Sequence, residues 1–223
     1  TGKVYQTDTY EIPEGARIAK GKAIFNFLSL GQNDQITSIL AVDARKKGQE
    51  RETGGYIVMV TKNGTMKKVK ADLFAQVRRN GLLAVTLKQG DQLDWARLTS
   101  GGDHIILVTK KGQAIRFKES DIRPMGRQAA GVKTIRLGAG DEVVGMDIIQ
   151  GARDKGQETR EKAQAASKLL VVMENGYGKQ TALKQYKAQR RGGSGIKTAK
   201  ITSKTGVVVN ARIIGTEETE LVA

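Results

Sequence analysis

The chain has 223 residues, of which 38 are Lys or Arg and 23 are Asp or Glu, so its formal net charge is +15. It has no cysteine and a single histidine, His104, so disulfides and thiolate metal sites are excluded, and neither a metal centre nor imidazole-dependent catalysis is expected. The excess of cations predicts a polyanionic partner, such as a nucleic acid, a heparin-like polymer or an anionic membrane surface; charge that serves only solubility is the alternative.

The sequence contains no pattern that predicts a membrane span or an export signal. Its apolar runs are far shorter than the roughly 20 residues that cross a bilayer. The N-terminus lacks the basic, apolar and small-residue succession of a signal peptide. We therefore expect a cytoplasmic protein without a membrane partner.

A repeated pattern begins at the first residues of the chain. Each copy has a short apolar run, a glycine turn and a second strand with basic residues, which is the pattern of a β-hairpin. The copies align on Gly2, Gly64, Gly112 and Gly178. Gly64 and Gly112 lie 48 positions apart, an interval typical of propellers and other repeat arrays.

A second glycine follows each turn and is predicted to open a third strand. These glycines are Gly21, Gly81, Gly131 and Gly195. A further turn then leads to a fourth apolar strand. The predicted fold class is therefore all-β, a propeller-like array with about four units of four strands in this chain.

The repeat divides the chain into units. Unit 1 lacks a first strand, so the chain is predicted to be a fragment of a longer one. The two polar insertions, 43–54 and 151–167, are predicted to be loops, the second partly helical. The predicted boundaries are 1–54 for a partial unit 1 with its insertion, 55–102 for unit 2, 103–168 for unit 3 with its insertion, 169–218 for unit 4, and 219–223 for the first strand of a truncated next unit.

Side chains along a strand alternate between its two faces. On this rule Ile115 and Phe117 are expected to face the core, whereas Arg116 and Lys118 face solvent. The alignment places Lys70 and Lys184 at the position of Lys118, so that position is basic in every complete unit. It places Lys68 at the position of Arg116, which is not basic in every unit.

The segment that leads to the third strand is basic in all four units. If the units stack around an arc, these segments recur at one radius and form a stripe along the outer rim. Such a stripe could hold a bent duplex through many phosphate contacts, although each residue alone could be a solvated surface charge. The cations predicted to contact DNA are Arg17, Lys20, Lys68, Lys70, Arg78, Arg79, Arg116, Lys118, Arg123, Arg127, Lys179, Lys184, Lys187, Arg190 and Arg191.

Unit 4 has a glycine-rich loop next to two arginines. Glycines let backbone N–H groups approach a ligand closely, and adjacent guanidiniums suit phosphate oxygens; a solvated turn is the alternative. The whole loop is therefore included in the predicted DNA site. It reads Gln189, Arg190, Arg191, Gly192, Gly193, Ser194, Gly195.

Four segments, 115–123, 123–132, 174–181 and 189–195, together resemble the C-terminal domain of the DNA gyrase A subunit, and the resemblance covers essentially the whole chain. It implies a β-pinwheel of four-stranded blades that wraps double-stranded DNA around a basic rim. It also implies that the partners are the remainder of the gyrase A subunit plus the gyrase B subunit, and that the wrap supports ATP-dependent negative supercoiling. ATP and Mg²⁺ would be used elsewhere in the enzyme, so no cofactor, metal or catalytic residue is expected in this domain.

The family's box reads Q-R-R-G-G-K-G and usually lies in the first blade. Here the match lies in unit 4 and has Ser194 where the family has lysine. The resemblance thus implies a principal box before Thr1. The related topoisomerase IV C subunit, whose boxes are typically degraded, is an alternative; the near-complete box favours gyrase. The sequence is compatible with both a closed ring and an open spiral.

Two other function classes fit parts of the sequence. A basic, propeller-like scaffold could bind an acidic protein instead of DNA. A self-contained enzyme would need a nucleophile such as one of the five tyrosines, but the DNA-cleaving tyrosine of the family lies in another domain. Asp91 and Asp141 lie beside turn glycines, where Asp is expected to bond the backbone rather than bind a metal.

Overall fold

The structure is a computed structural model that describes residues 1–32, 34–42, 55–150 and 167–215. Both predicted insertions, except Ser167, and the predicted strand at 219–223 lie outside these residues. Within the described ranges the strands are β1 (Lys3–Val4), β2 (Tyr56–Thr61), β3 (Thr65–Lys70), β4 (Leu82–Leu83), β5 (Leu93–Thr99), β6 (His104–Thr109), β7 (Gln113–Lys118), β8 (Val132–Lys133), β9 (Val143–Ile149), β10 (Lys168–Met173), β11 (Gly178–Ala182), β12 (Ile196–Lys197) and β13 (Val208–Ile214).

The predicted hairpins are confirmed in units 2, 3 and 4. Strands β2 and β3, β6 and β7, and β10 and β11 each pair antiparallel. The turn glycines Gly64 and Gly112 have φ of 75° and 79°, a left-handed conformation that glycine adopts without the steric cost of a Cβ. Short 3₁₀ turns follow the second strands at Ala71–Phe74, Glu119–Asp121 and Leu183–Gln185.

The third strands of units 2, 3 and 4 each pair with a strand of the preceding unit. The described sheets have the orders β1-β4, β5-β2-β3-β8, β12-β7-β6-β9 and β11-β10-β13. Thus β8 of unit 3 completes the sheet of unit 2, and β12 of unit 4 completes the sheet of unit 3. Each four-stranded sheet therefore combines three strands of one unit with one strand of the next, and the units are tied together by main-chain hydrogen bonds.

Glycines make this exchange of strands sterically possible. A Cβ on Gly131 would lie 2.5 Å from the carbonyl oxygen of Met66, and one on Gly195 would lie 2.4 Å from that of Ala114. Both glycines have positive φ, 94° and 74°. Gly81, Gly131 and Gly195 thus open a third strand against the neighbouring unit, as predicted. The same prediction was wrong for Gly21, because the described residues after it contain the 3₁₀ turn Ile24–Asn26 and no third strand.

The hydrophobic core lies between successive sheets. On β6, Ile105 and Leu107 pack with Val58 of unit 2, whereas Ile106 and Val108 belong to the cluster shared with unit 4. Alternating side chains of one strand therefore enter two different cores, and a middle sheet is covered on both faces. The fourth strand β9 also lies against β5 and β13, so the fourth strands form the inner edge of the stack and the third strands lie at the opposite, outer edge.

Candidate nucleic-acid interface

The basic segments of successive units lie side by side along the outer edge. Because each third strand joins the preceding sheet, the segment before it lies along the second strand of that sheet. The Met125 amide donates to the Lys68 carbonyl at 2.8 Å, and the Gln189 amide donates to the Arg116 carbonyl at 2.7 Å. The segment 123–127 is thereby placed beside unit 2, and 189–191 beside unit 3.

Two arginines make the same contact at successive junctions. Arg127 and Arg191 each lie four residues before the third-strand glycine. Arg127 Nη1 donates to the Leu73 carbonyl at 3.5 Å, and Arg191 Nε donates to the Asp121 carbonyl at 3.0 Å. Both acceptors belong to the 3₁₀ turn that follows the second strand of the preceding unit, so each of these two basic segments contacts the preceding unit in the same way.

Most of the predicted cations are exposed on this edge or in unit 1. Exposed carboxylates of Asp72 and Asp121 lie in the same turns, so the edge is strongly but not purely positive. The half-buried members of the predicted site are Arg116, Arg127, Gln189, Gly192, Gly193 and Gly195. The exposed members are Arg17, Lys20, Lys70, Arg78, Arg79, Lys118, Arg123, Lys179, Lys184, Lys187, Arg190, Arg191 and Ser194.

Lys68 is a correction to the predicted site. Its side chain is buried, with the residue 3% exposed, and its ammonium lies 2.9 Å from the carboxylate of Glu119 in unit 3. The same ammonium lies 4.2 Å from the centre of the Tyr56 ring. The expectation of a solvent-facing lysine failed because the strand is covered on both faces, and Lys68 holds two units together instead of meeting phosphate.

Arg116 is a second correction, because the predicted solvent-facing side chain is half-buried between units 3 and 4. Its Nε donates to His104 Nδ1 at 3.3 Å, and Nη1 lies 3.5 Å from the carbonyl oxygens of Leu183 and Tyr186. Burial lowers the pKa of the Arg116 guanidinium, and burial followed by the charge of Arg116 lowers the pKa of His104. By contrast, the predicted core positions Ile115 and Phe117 are fully buried.

Sequence comparison connects this architecture to a known family. The profile described as "DNA gyrase C-terminal domain, beta-propeller" matches residues 1–43, 55–100, 103–150 and 168–214. The chain belongs to this family. The match covers all four units, which confirms the resemblance that the sequence motifs indicated and the β-pinwheel fold class.

Relatives of this gyrase C-terminal domain family member include longer proteins. The DNA gyrase A subunit of Staphylococcus epidermidis strain ATCC 12228 is 39% identical over 217 residues, and that of Staphylococcus aureus strain NCTC 8325 is 40% identical over 217 residues. The match covers 97% of this chain and 22% of either relative, so the chain spans about a fifth of the length of the curated relatives it matches.

Solved structures of related domains share the fold. The crystal structure of the C-terminal domain of DNA topoisomerase IV superposes with a TM-score of 0.78 at 23% identity, over 97% of this chain and 61% of that one. The structure of the DNA gyrase A C-terminal domain superposes with a TM-score of 0.73 at 25% identity, over 96% of this chain and 62% of that one. At 23% identity, the similarity to the topoisomerase IV domain shows only that the two chains share a fold.

The alignment of unit 4 in this family member needs a shift of two residues. The turn glycine that bonds like Gly64 and Gly112 is Gly176, with φ 79°, not Gly178. Ala182 therefore occupies the position of Lys118 at the end of the second strand, and Lys184 lies in the following 3₁₀ turn. The predicted equivalence of Lys184 with Lys70 and Lys118 was wrong, because two glycines in one turn offer two registers.

The box loop uses its backbone to join units. The Gly192 amide donates to the Thr134 carbonyl at 2.7 Å, and the Arg136 amide donates to the Gly193 carbonyl at 2.8 Å. Gly192 and Gly195 have φ of 85° and 74°. These glycines thus permit close approach to the backbone of unit 3, where the sequence had suggested close approach to a ligand.

Two exposed lysines on the outer edge were missed by the sequence prediction. Lys133 lies on β8 and Lys197 on β12, each two residues after a third-strand glycine. The signal was present, since both segments read Gly, an aliphatic residue, Lys, Thr. The edge was not anticipated because nothing in the local sequence shows that these strands are the outermost ones.

The two turn aspartates bond the chain as predicted. Asp91 accepts from the Thr61 hydroxyl at 2.7 Å and from the Asn63 amide at 3.0 Å. Asp141 accepts from the Thr109 hydroxyl at 2.8 Å and from the Lys111 amide at 2.9 Å. Both carboxylates therefore brace a hairpin turn, in agreement with the expectation from their neighbouring glycines.

The described part of the chain contains neither a candidate membrane span nor a candidate metal cluster. No helix in it is long and apolar enough to cross a membrane. The same residues contain no group of three or more His, Cys, Asp or Glu side chains that could hold a metal ion.

Proposed function

We propose that the chain is a non-catalytic module that binds double-stranded DNA and bends it along the outer edge of its stacked sheets. The observation that carries the proposal is the repeated placement of the basic segments, in which Arg127 and Arg191 each reach the 3₁₀ turn of the preceding unit. Because the same placement recurs in successive units, the cations of these units would form one curved stripe along the outer edge. A duplex presents phosphates along a line, so a stripe with a matching direction can make many contacts at once.

The chemistry of the stripe favours phosphate contacts over base reading. Its exposed members are lysines and arginines repeated at equivalent places, and a repeated positive charge carries no sequence information. The third-strand lysines Lys133 and Lys197 extend the stripe beyond the predicted set. Bending a short duplex by 40 to 90 degrees costs about 1 to 6 kcal/mol, which contacts spread along the curve can offset.

At the level of the enzyme, the proposal is a role in DNA gyrase. The domain would act in the cytoplasm, together with the remainder of the gyrase A subunit plus the gyrase B subunit. The other domains would use ATP and Mg²⁺, and this domain would need no cofactor. The names of the full-length relatives and the near-complete box at 189–195 favour gyrase over topoisomerase IV. Wrapping would supply the positive crossing that directs strand passage towards negative supercoiling.

The binding proposal can be tested with a rim variant and a matched control. Replacing Lys118, Arg123, Lys187 and Arg190 by alanine removes four exposed cations of units 3 and 4. We expect the Kd for a fluorescent 40-base-pair duplex to rise by about 100-fold or more, because each lost phosphate contact weakens binding. Arg212→Ala removes an exposed arginine from β13 on the inner edge and should change the Kd less than twofold.

Unchanged duplex affinity in the fourfold variant would favour the scaffold that binds an acidic protein. The enzyme-level role has its own test, in which residues equivalent to this chain are deleted from an intact gyrase. We expect supercoiling to be lost while relaxation of supercoiled DNA persists, since strand passage does not need the wrap. Full supercoiling by the truncated enzyme would contradict the proposal.

A further inference from the structure

We propose that the two box arginines have different tasks: Arg190 contacts phosphate, whereas Arg191 is a positioning residue that fixes the angle between units and thereby the curvature of bound DNA. The inference rests on the proposed DNA-binding function and refines it. It comes from the hydrogen bonds around the loop, because sequence alone presents the two arginines as an equivalent pair.

The guanidinium of Arg191 in unit 4 bonds two separate parts of unit 3, its 3₁₀ turn and the strand that joins the sheet of unit 2. Its Nε donates to the Asp121 carbonyl at 3.0 Å, and its Nη1 donates to the Lys133 carbonyl at 3.2 Å. Asp121 belongs to the turn of unit 3. Lys133 lies on β8, which is paired with Thr65 and Met66 in the sheet of unit 2. A change in the angle between these units would stretch both bonds, so the guanidinium resists it.

The backbone on both sides of Arg191 is hydrogen-bonded to unit 3. The amide of Gln189 donates to the Arg116 carbonyl at 2.7 Å, and that of Gly192 donates to the Thr134 carbonyl at 2.7 Å. These bonds bracket Arg191 and hold its Cα against unit 3. The planar guanidinium can then satisfy two carbonyls at once, a geometry that a lysine ammonium reproduces poorly.

Arg190 is placed differently. It is exposed, and over the described residues no hydrogen bond or ion pair involves its side chain. Arg190 belongs to the loop whose backbone Arg191 holds in place. Its guanidinium therefore has a defined starting position and remains available to an external anion. An exposed, fully ionised guanidinium on a basic edge is suited to a phosphate oxygen.

The preceding junction provides an internal comparison. There Arg127 occupies the position of Arg191, but within the described residues its side chain donates only to the Leu73 carbonyl, at 3.5 Å, and Gly126 occupies the position of Arg190. The loop is held in addition by Lys67, whose Nζ donates to the carbonyl of Arg127. The positioning task at that junction is therefore shared, and loss of Arg127 should matter less than loss of Arg191.

The DNA experiment compares Arg190→Ala, Arg191→Ala, Arg191→Lys and Arg127→Ala. Kd and its salt dependence are measured by anisotropy, and the bend at saturating protein by energy transfer between dyes on the duplex ends. For Arg190→Ala we expect a Kd about 3- to 10-fold higher, a salt slope smaller by about 1, and an unchanged bend. For Arg191→Ala we expect a smaller or more variable bend at saturation, with partial recovery in Arg191→Lys and a weaker effect in Arg127→Ala.

A second readout does not depend on DNA. Because the chain has no cysteine, Lys88→Cys and Ser203→Cys introduce two unique spin-label sites at exposed positions of units 2 and 4. We expect Arg191→Ala to broaden the distance distribution between them and to lower Tm by about 2 to 4 °C, while Arg190→Ala changes neither. This measurement separates the inference from the proposed function, since it has a result even if the duplex does not bind.

The inference is overturned if Arg191→Ala leaves both the saturating bend and the label distances as they are, or if Arg190→Ala broadens the distances as much as Arg191→Ala does. Absence of duplex binding by the unmodified chain would contradict the proposed function and the phosphate role of Arg190. The positioning role of Arg191 would then be decided by the label distances alone.

Discussion

The junction between units 2 and 3 and the junction between units 3 and 4 have the same backbone but different side chains. The Thr134 amide meets the Gly64 carbonyl at the first, and the Thr198 amide meets the Gly112 carbonyl at the second, at 2.9 and 2.8 Å. The first junction buries the Lys68–Glu119 ion pair. At the second, Leu183 stands where Glu119 does, and Arg116 bonds main-chain carbonyls.

The difference shows that some cations join neighbouring units, whereas others remain exposed on the outer edge. The first junction also contains Lys67, which is buried, and Lys62 and Lys110, which pair with Glu142 at 3.0 and 3.2 Å. The hydrogen bond from Lys62 lowers the pKa of Glu142. The second junction leaves Arg190 exposed.

The largest expected effect comes from breaking the buried ion pair. Glu119→Leu installs the residue that unit 4 has at this position, but it leaves the Lys68 ammonium buried without a carboxylate. We expect the free energy of unfolding to fall by about 3 to 5 kcal/mol, measured by urea denaturation. The double variant Lys68→Met, Glu119→Leu should recover part of that loss, because the unpaired charge is gone. A double variant no more stable than Glu119→Leu alone would contradict this account.

Recovery should be incomplete for a specific reason. Glu119 also accepts from the Thr99 hydroxyl at 2.8 Å and from the Gly101 amide at 3.0 Å. The double variant leaves these donors without the carboxylate. The first junction thus contains a buried polar network centred on Glu119.

The next effect tests the backbone exchange that both junctions share. Gly195→Ala would place a Cβ 2.4 Å from the Ala114 carbonyl oxygen at φ 74°, so strain and a clash combine. We expect destabilisation by about 2 to 4 kcal/mol in thermal or urea unfolding. Gly21→Ala is the matched control, because Gly21 has φ 71° and open space around the Cβ position; it should cost about 1 kcal/mol. Equal losses in both variants would show that the close approach does not matter.

The buried lysine of the first junction predicts a pH effect. Burial lowers the pKa of Lys67 from its ordinary 10.5 to about 8. Between these values the unfolded chain binds a proton that the folded chain does not, so the free energy of unfolding should rise with pH from 8 towards 10.5. Below pH 8 both states are protonated and this gain is absent.

Lys67→Ile, which copies Ile115 of unit 3, isolates that contribution. The difference in unfolding free energy between unmodified chain and variant should shift in favour of the unmodified chain by about 1 to 2 kcal/mol between pH 8 and pH 9.5. Measurements stop at pH 9.5 because Tyr5, whose pKa is raised to about 12 mainly by burial, titrates differently in the two states above pH 10. Parallel stability curves would contradict the lowered pKa.

The smallest expected effect concerns the box residue that departs from the family pattern. Ser194 is exposed on the box loop, so Ser194→Lys adds a cation to the stripe without disturbing a buried contact. We expect duplex affinity to increase about 2- to 5-fold and the salt slope to grow by about 1. If neither the Kd nor the DNA bend changes, residue 194 does not lie in the DNA interface.

The fold could be predicted from sequence because its signals are local. A turn glycine after a short apolar run marked the hairpins around Gly64 and Gly112, and the structure confirms them. The destination of the third strand could not be predicted in this way. The local sequence of a short segment such as Val132–Lys133 does not determine which sheet the segment joins. Its pairing depends on contacts with residues of the preceding unit.

The exposure of the predicted site residues could be foreseen where it follows from position in a loop. Arg123 and Arg190 are exposed as a loop segment would suggest. Strand positions failed because alternation identifies two faces but does not say whether the second face meets water. Lys68 meets Glu119 of the next unit instead. Exposure of a strand residue in a stacked-sheet protein thus depends on neighbours that are distant in sequence.

The salt dependence of duplex binding tests the central claim most directly. If the cations of successive units form one stripe that neutralises about 6 to 10 phosphates, the affinity of the unmodified chain should fall roughly 10³- to 10⁵-fold between 50 and 200 mM salt. The logarithm of affinity should decline linearly with the logarithm of salt concentration. A flat response, or a slope that corresponds to one or two phosphates, would contradict a continuous DNA-binding edge.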